Sequence, residues 1–180
     1  MNRCFWVNEN NPLYVKYHDE EWGKPSYDDH HLFEMLLLET FQAGLSWECI
    51  LNKRESFRKA FDSFQVEKIA SYDSKKIEEL MNNKDIVRNK RKILASVENA
   101  KIFLKIQEEF GSFSNYIWSF TNNKIIDHKG EVITSNELSD TISKDLKARG
   151  MKFVGTTIIY SYLQAIGIVN DHDIFCNFKR

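Results

Sequence analysis

Apolar residues recur at three- and four-residue spacing along most of this chain, the period of a helix that buries one face. Alternating runs, the mark of half-buried strands, are nearly absent, so the pattern predicts an all-α protein. A helix opens at Asp28 or Asp29, either of which can cap its free amides, and carries Leu32, Phe33, Met35, Leu36 and Leu38 to about Thr40. A second takes Ser46 as its cap and runs toward Phe61. Shorter helices are expected over residues 66–71 and 74–81. A long one follows over 85–110, with Ile86, Ile93, Leu94, Val97, Ala100 and Leu104 as its stripe and Gly111 as its stop. Residues 112–120 read as a short aromatic helix and 121–134, largely polar, as a loop. Helices over 139–149 and 156–166 then flank a glycine-bearing turn. Two prolines and seven glycines interrupt little of this, and there is no repeat or linker.

Composition narrows the classes. At 180 residues, 42% of them hydrophobic, the chain can bury a core as one domain or as two small lobes sharing an interface. No stretch reaches membrane-spanning length, the N-terminus lacks a signal-peptide pattern, and three cysteines (Cys4, Cys49, Cys176) cannot all pair. A cytoplasmic, monomeric protein with no membrane role is expected. A formal net charge of −1 carries no global signal for a polyanionic partner. Basic residues nevertheless gather at Arg88, Lys90, Arg91 and Lys92 and at Lys144, Lys147, Arg149 and Lys152, as solvated helix faces or as local phosphate-facing surface.

Three constellations carry candidate chemistry. Cys4 with His18, and His172 with Cys176, form a Cys2His2 inventory; a helical turn would aim the second pair at one point, and a closed four-ligand zinc site would be structural. Reduced core thiols and hydrogen-bonded imidazoles are the other reading. The segment over 146–157 reads as helix, tight turn, helix, with Lys147, Arg149 and Lys152 beside it; the amides of a helix opening at Gly155 and Thr156 could bind a phosphate, or the glycines could simply end and start helices. Finally, Leu32, Met35, Leu36 and Glu39 fall at i, i+3, i+4 and i+7. Glu39 therefore lies on a buried face, where a carboxylate needs partners or a raised pKa, unless the helix frays by Thr40 and releases it to solvent. Trp6, Tyr14, Tyr17, Trp22 and Trp47 could wall a pocket beside it for a planar or cationic base, or pack as core.

The strings Arg3-Cys4-x-Trp6-Val7, Pro12-Leu13-Tyr14-x-x-Tyr17-His18-Asp19-x-Glu21-Trp22-Gly23, Glu39-x-x-Gln42-Ala43-Gly44-Leu45-Ser46-Trp47, Lys152-Phe153-Val154-Gly155-Thr156-Thr157 and Val169-Asn170-Asp171-His172-x-x-x-Cys176 run in order through essentially the whole chain. In these the chain resembles the bacterial DNA-3-methyladenine glycosylase I family. The resemblance implies an all-α helix-hairpin-helix DNA glycosylase fold, residues 1–180 forming one unit with its hairpin at about 146–157. It implies one structural zinc ion, held by Cys4, His18, His172 and Cys176, joining the terminal segments. It further implies excision of N3-methyladenine from alkylated double-stranded DNA, with Glu39, Tyr17 and Trp47 on the extruded base and Trp22 and Tyr14 as supporting wall. Gly44 and Leu45 would sit near the gap in the duplex, and Lys152, Gly155 and Thr156 at the backbone.

On this reading Glu39 is a recognition and electrostatic residue more than a base that activates water. Asp171 is read as a capping or supporting residue because its neighbour His172 is wanted by the metal. No lysine stands where a Schiff-base nucleophile is expected, so an enzyme without lyase activity follows. Two other classes remain: a zinc-stapled DNA-binding module without catalysis, and an enzyme acting on a free nucleoside.

Overall fold

The computed structural model describes residues 1–131 and 133–179. Among them are nine α-helices and one pair of two-residue strands. The first helix, α1 (Pro12–Glu20), was not anticipated. Its start is nevertheless written locally, since the Asn11 side chain accepts a hydrogen bond from the Leu13 amide and Pro12 occupies the first turn, where a missing N–H is harmless.

The expected helix at Asp28 is α2 (Asp29–Gln42), with the Asp28 carboxylate accepting from the amides of His30 and His31. Every residue from Leu32 to Phe41 is buried, so α2 is the central helix of the molecule and does not fray at Thr40. Ser46 caps α3 (Trp47–Ala60) as expected. A single 3-10 turn then leads to α4 (Val66–Ala70) and α5 (Ser74–Asn82). The long helix α6 (Lys90–Phe110) begins five residues later than its apolar stripe suggested. Asn89 caps it by accepting from the Lys92 amide, and Ile86 is buried from the turn before it. Gly111 ends it with φ +81°, and α7 (Phe113–Ser119) follows.

Asp29 links these layers. Its carboxylate accepts from Gln107 Nε2 at 2.7 Å and from the amides of Phe113 at 2.8 Å and Ser114 at 2.7 Å, capping α7 from the first turn of α2. Phe33, Phe103 and Phe113 stack beneath, and the Tyr162 hydroxyl donates to the Leu32 carbonyl at 3.0 Å.

The all-α expectation needs one correction. Within the loop expected over 121–134, β1 (Ile126–Asp127) pairs in parallel with β2 (Val169–Asn170), Ile126 opposite Val169. Two residues are too few to show alternation, so the pairing was invisible. It carries the chain from α8 (Glu137–Ala148) and α9 (Thr156–Ala165) back under the loop and delivers Asp171 and His172 to the centre. No helix among the described residues is long and apolar enough to cross a membrane.

The N-terminal arm is bound to the end of α9. Gly23 N–H donates to the Gln164 carbonyl at 3.0 Å and Ser26 N–H to the Ile166 carbonyl at 3.0 Å. Gly167 turns the chain there with φ +75°, and a methyl group on it would run into the backbone of Lys24 and Pro25. Gly167→Ala combines a left-handed backbone with a backbone collision. It should lower unfolding stability by about 2 kcal/mol or more, read as the midpoint of urea denaturation; an unchanged midpoint would show that the arm is not held there.

Candidate active site

Glu39 decides the character of the site. It sits on α2 with its side chain buried, and its Oε2 has no hydrogen-bond partner among the described residues. Burial raises its pKa from 4.5 to about 8. A cavity of about 200 Å³ opens beside it. Trp6, Tyr14, Tyr17, Trp22 and Trp47 all line this space, as the aromatic pattern of the arm suggested. Tyr17 and Trp47 lie 5.3 Å apart between centroids, tilted at 50°, and Trp6 meets Trp22 edge-on at 4.8 Å. Burial pushes the Tyr17 phenol well above its usual range, helped by the nearby charge of Glu39, so it stays neutral. The Trp47 indole N–H is likewise buried without a partner. The cavity thus presents one unmet acceptor and one unmet donor between π faces.

Other lining groups were not foreseen. Ser161 and Gln164 reach the cavity from α9, and their i, i+3 spacing on an otherwise apolar helix was the available signal. Glu131, Asp171 and Asp173 bring its carboxylates to four with Glu39, while no lysine, arginine or histidine lines it among the described residues. Asp171, expected as a capping or supporting residue, caps no helix among the described residues. It follows β2, lines the cavity, and is gripped by His128 Nδ1 at 2.8 Å, the Tyr160 hydroxyl at 2.6 Å and Gln164 Nε2 at 2.7 Å.

The expected metal ligands are brought together in part. Cys4, His18 and Cys176 are buried with ligand atoms within 4.8 Å of one another. His18 Nε2 stands 3.5 Å from Cys176 Sγ, within the ligand separation of about 3.4–3.8 Å that tetrahedral zinc imposes. His18 Nδ1 is paired with Asp19 Oδ1 at 2.7 Å, which orients the ring and leaves Nε2 facing the thiols. His172 lies outside that trio, with its ring 5.3 Å from that of His18. Its Nδ1 meets Asn170 Oδ1 at 2.9 Å; an amide oxygen only accepts, so Nε2 keeps the lone pair, and it is buried without a partner among the described residues. Burial lowers the His172 pKa to about 4, keeping it neutral. The helical turn expected to aim His172 and Cys176 does not form: the segment is a series of turns closed by the Cys176 amide on the Asp173 carbonyl. The donor types of the trio fit zinc, and His172 Nε2 is a buried, unmet acceptor near them.

Two turns were expected to meet DNA. Gly44 has φ +79° with open space around it, and the neighbouring Leu45 is 37% exposed. The α8–α9 hairpin turns at Gly150, φ +105°, and α9 opens at Gly155 with no side chain capping its amides and nothing within 4 Å of where a Cβ would stand. The Lys152 side chain is exposed. The Thr156 hydroxyl is engaged with Ser139 Oγ at 2.7 Å, leaving its backbone as the group facing outward. Arg149, expected to add charge beside the hairpin, is committed to Glu109 at 2.6 Å and Asp145 at 2.7 Å.

The helical fold of this chain is found again in a solved DNA glycosylase. The chain matches a crystal structure of 3-methyladenine DNA glycosylase I with TM-score 0.94 and 43% identity over 98% of both chains. It also matches the Staphylococcus aureus enzyme, solved for the structural basis of 3-methyladenine recognition, with TM-score 0.95 and 40% identity over 100% of this chain and 97% of that one. The fold is therefore that of a DNA glycosylase. The chain belongs to the methyladenine glycosylase family, whose profile matches residues 6–180. It is 44% identical to DNA-3-methyladenine glycosylase 1 of Escherichia coli (strain K12) over 98% of this chain and 96% of that protein.

The burial of Glu39 sets a pH dependence. Unfolded, the carboxyl ionises near pH 4.5; folded, near 8, so wild-type stability falls as pH rises between those values. Glu39→Gln removes this and should become progressively more stable than wild type from pH 4.5 to 8, by on the order of a few kcal/mol, and hold a constant margin above. A margin that does not vary with pH in denaturant titrations would place the native pKa elsewhere.

Proposed function

We propose that this protein is a DNA repair N-glycosylase that extrudes N3-methyladenine from alkylated double-stranded DNA and hydrolyses its N-glycosidic bond. The observation that carries this reading is the unpartnered Glu39 carboxyl facing a ring-lined cavity with four carboxylates and no basic residue. Methylation at N3 makes adenine cationic. A cation lying against the Tyr17 and Trp47 rings meets favourable π faces, and its exocyclic amine supplies the donor that Glu39 Oε2 lacks. Extrusion costs a few kcal/mol, which these contacts offset. Neutral adenine brings no charge to stabilise the ionised form of a carboxyl whose pKa stands near 8, so selectivity follows from the same burial.

The reaction asks little proton chemistry of the protein. As the C1′–N9 bond breaks, its electron pair passes into the cationic purine, which leaves neutral without being protonated; water adds at C1′ and gives up a proton. Glu39 is assigned recognition and electrostatic stabilisation, with Tyr17 and Trp47 on the base and Trp22 and Tyr14 as wall. Gly44 and Leu45 are assigned to the gap in the duplex, and Lys152, Gly155 and the Thr156 backbone to phosphate contacts. We read the enzyme as lacking lyase activity. We read residues 1–180 as one glycosylase unit, working as a cytoplasmic monomer.

Cys4, His18, His172 and Cys176 would hold one zinc ion. When bound it supplies a cross-link between the termini and no chemistry, since four protein ligands leave no open position.

Incubated with methylated duplex, the protein should release N3-methyladenine and leave an abasic strand that borohydride does not trap. Glu39→Gln should lower kcat/KM at least 100-fold and Asp171→Asn much less. Duplex binding without base release would make this a DNA-binding module, and release from free nucleoside alone would remove DNA from the reading.

Elemental analysis of the protein should find one zinc per chain. Chelation should lower Tm by more than about 5 °C, His172→Ala should lose the metal, and Cys49→Ala should keep it. Protein free of metal with an unaltered Tm would leave the trio as reduced core residues.

A further inference from the structure

Both turns assigned to DNA hang from one face of α6. Lys92 is buried, 6% exposed, and its Nζ donates to the carbonyls of Phe41 in the last turn of α2 at 2.7 Å and of Ala43, the C-cap before Gly44, at 2.5 Å. The same Nζ stands 5.9 Å from the centroid of the Phe153 ring in the hairpin. Two helical turns further on, Asn99 clasps the hairpin backbone like a paired strand: its Nδ2 donates to the Lys152 carbonyl at 2.9 Å and its Oδ1 accepts from the Lys152 amide at 2.8 Å. Asn99 is itself buried, 3% exposed. Lys92 and Asn99 are seven residues apart, about 10 Å along the axis on nearly the same face.

We propose that Lys92 and Asn99 are positioning residues that fix the spacing between the 43–45 turn and the 150–155 hairpin, so that duplex gripped at the hairpin presents its gap to Leu45 and its extruded base to the cavity. The inference rests on the glycosylase reading above. Neither residue lines the cavity. What the pair controls is the register between backbone and base, not the affinity for the base. A buried ammonium is costly unless its donors are used, and here they are spent on the carbonyls at the end of a helix, where they satisfy backbone groups that no amide reaches. Phe153 holds φ +55°, a conformation that a non-glycine residue adopts only when its surroundings impose it, with its ring beside Lys92 and its preceding residue, Lys152, held by Asn99.

The test separates base binding from duplex use. Lys92→Met and Asn99→Ala are compared with wild type by tryptophan fluorescence titration with free N3-methyladenine and by excision kinetics on methylated duplex, after confirming a cooperative thermal transition. Expected are base affinities within about twofold of wild type, with kcat/KM on duplex at least tenfold lower in each variant and KM raised in Asn99→Ala. Asn99→Asp, which keeps the bond from the Lys152 amide, should lie between. If Lys92→Met fails to fold, the Asn99 pair carries the test alone. Excision at the wild-type rate, or base affinity falling in step with excision, overturns the inference. Absence of excision by wild type would instead overturn the glycosylase reading itself.

Discussion

A carboxyl group buried on the central helix without a partner is the constraint around which the rest is organised. Glu39 belongs to a helix buried from Leu32 to Phe41 and is itself 3% exposed, on the wall of the cavity. Leaving a buried acceptor unmet destabilises a fold by about 1–3 kcal/mol, and a protein keeps such a group where something else completes it. Here the Trp47 indole N–H is unmet in the same wall. A planar base whose edge carries a donor meets the Glu39 acceptor while its face lies against the Trp47 ring.

The cavity draws on distant parts of the chain, and this explains the effort spent on the termini. Trp6, Tyr14, Tyr17 and Trp22 come from the first residues, Asp171 and Asp173 from the last, and only Glu39, Gln42 and Trp47 from the central turn. Backbone bonds join Asn177 to Asn2, the Asp173 carboxylate accepts from the Phe5 amide, and Arg3 is clamped to Asp19 behind His18. A metal in the Cys4, His18, Cys176 trio would lock this closure, and Trp22 packs directly on His172 at 4.5 Å. His18 also meets Trp6 edge-on at 5.3 Å and stacks on Trp22 at 6.0 Å, so the trio packs directly against the cavity wall.

Much of this was legible because it was local. Asp28, Ser46 and Gly111 announce their helix boundaries through chemistry that acts within four residues, and the burial of Glu39 follows from its place in a 3.6-residue period. What was illegible depends on residues far apart in sequence. The partners of Asp171 lie at 128, 160 and 164, and nothing near 171 distinguishes a helix cap from a cavity wall. The β1–β2 pair is two residues long, below any period. Helix α1 was passed over because its start, Asn11-Pro12, reads as loop until the following residues are seen to coil behind it.

The near-zero net charge ceases to be an objection once affinity and chemistry are assigned to different surfaces. Four carboxylates line the cavity, where a cation would be stabilised, and the first amides of α9 at Gly155 carry no side-chain cap. A uniformly basic protein would attract every stretch of DNA and would also raise the cost of holding a cationic base. Separating an acidic interior from a neutral, amide-rich rim lets the duplex be held weakly along its backbone while discrimination is left to the extruded base, where the energy differences are larger.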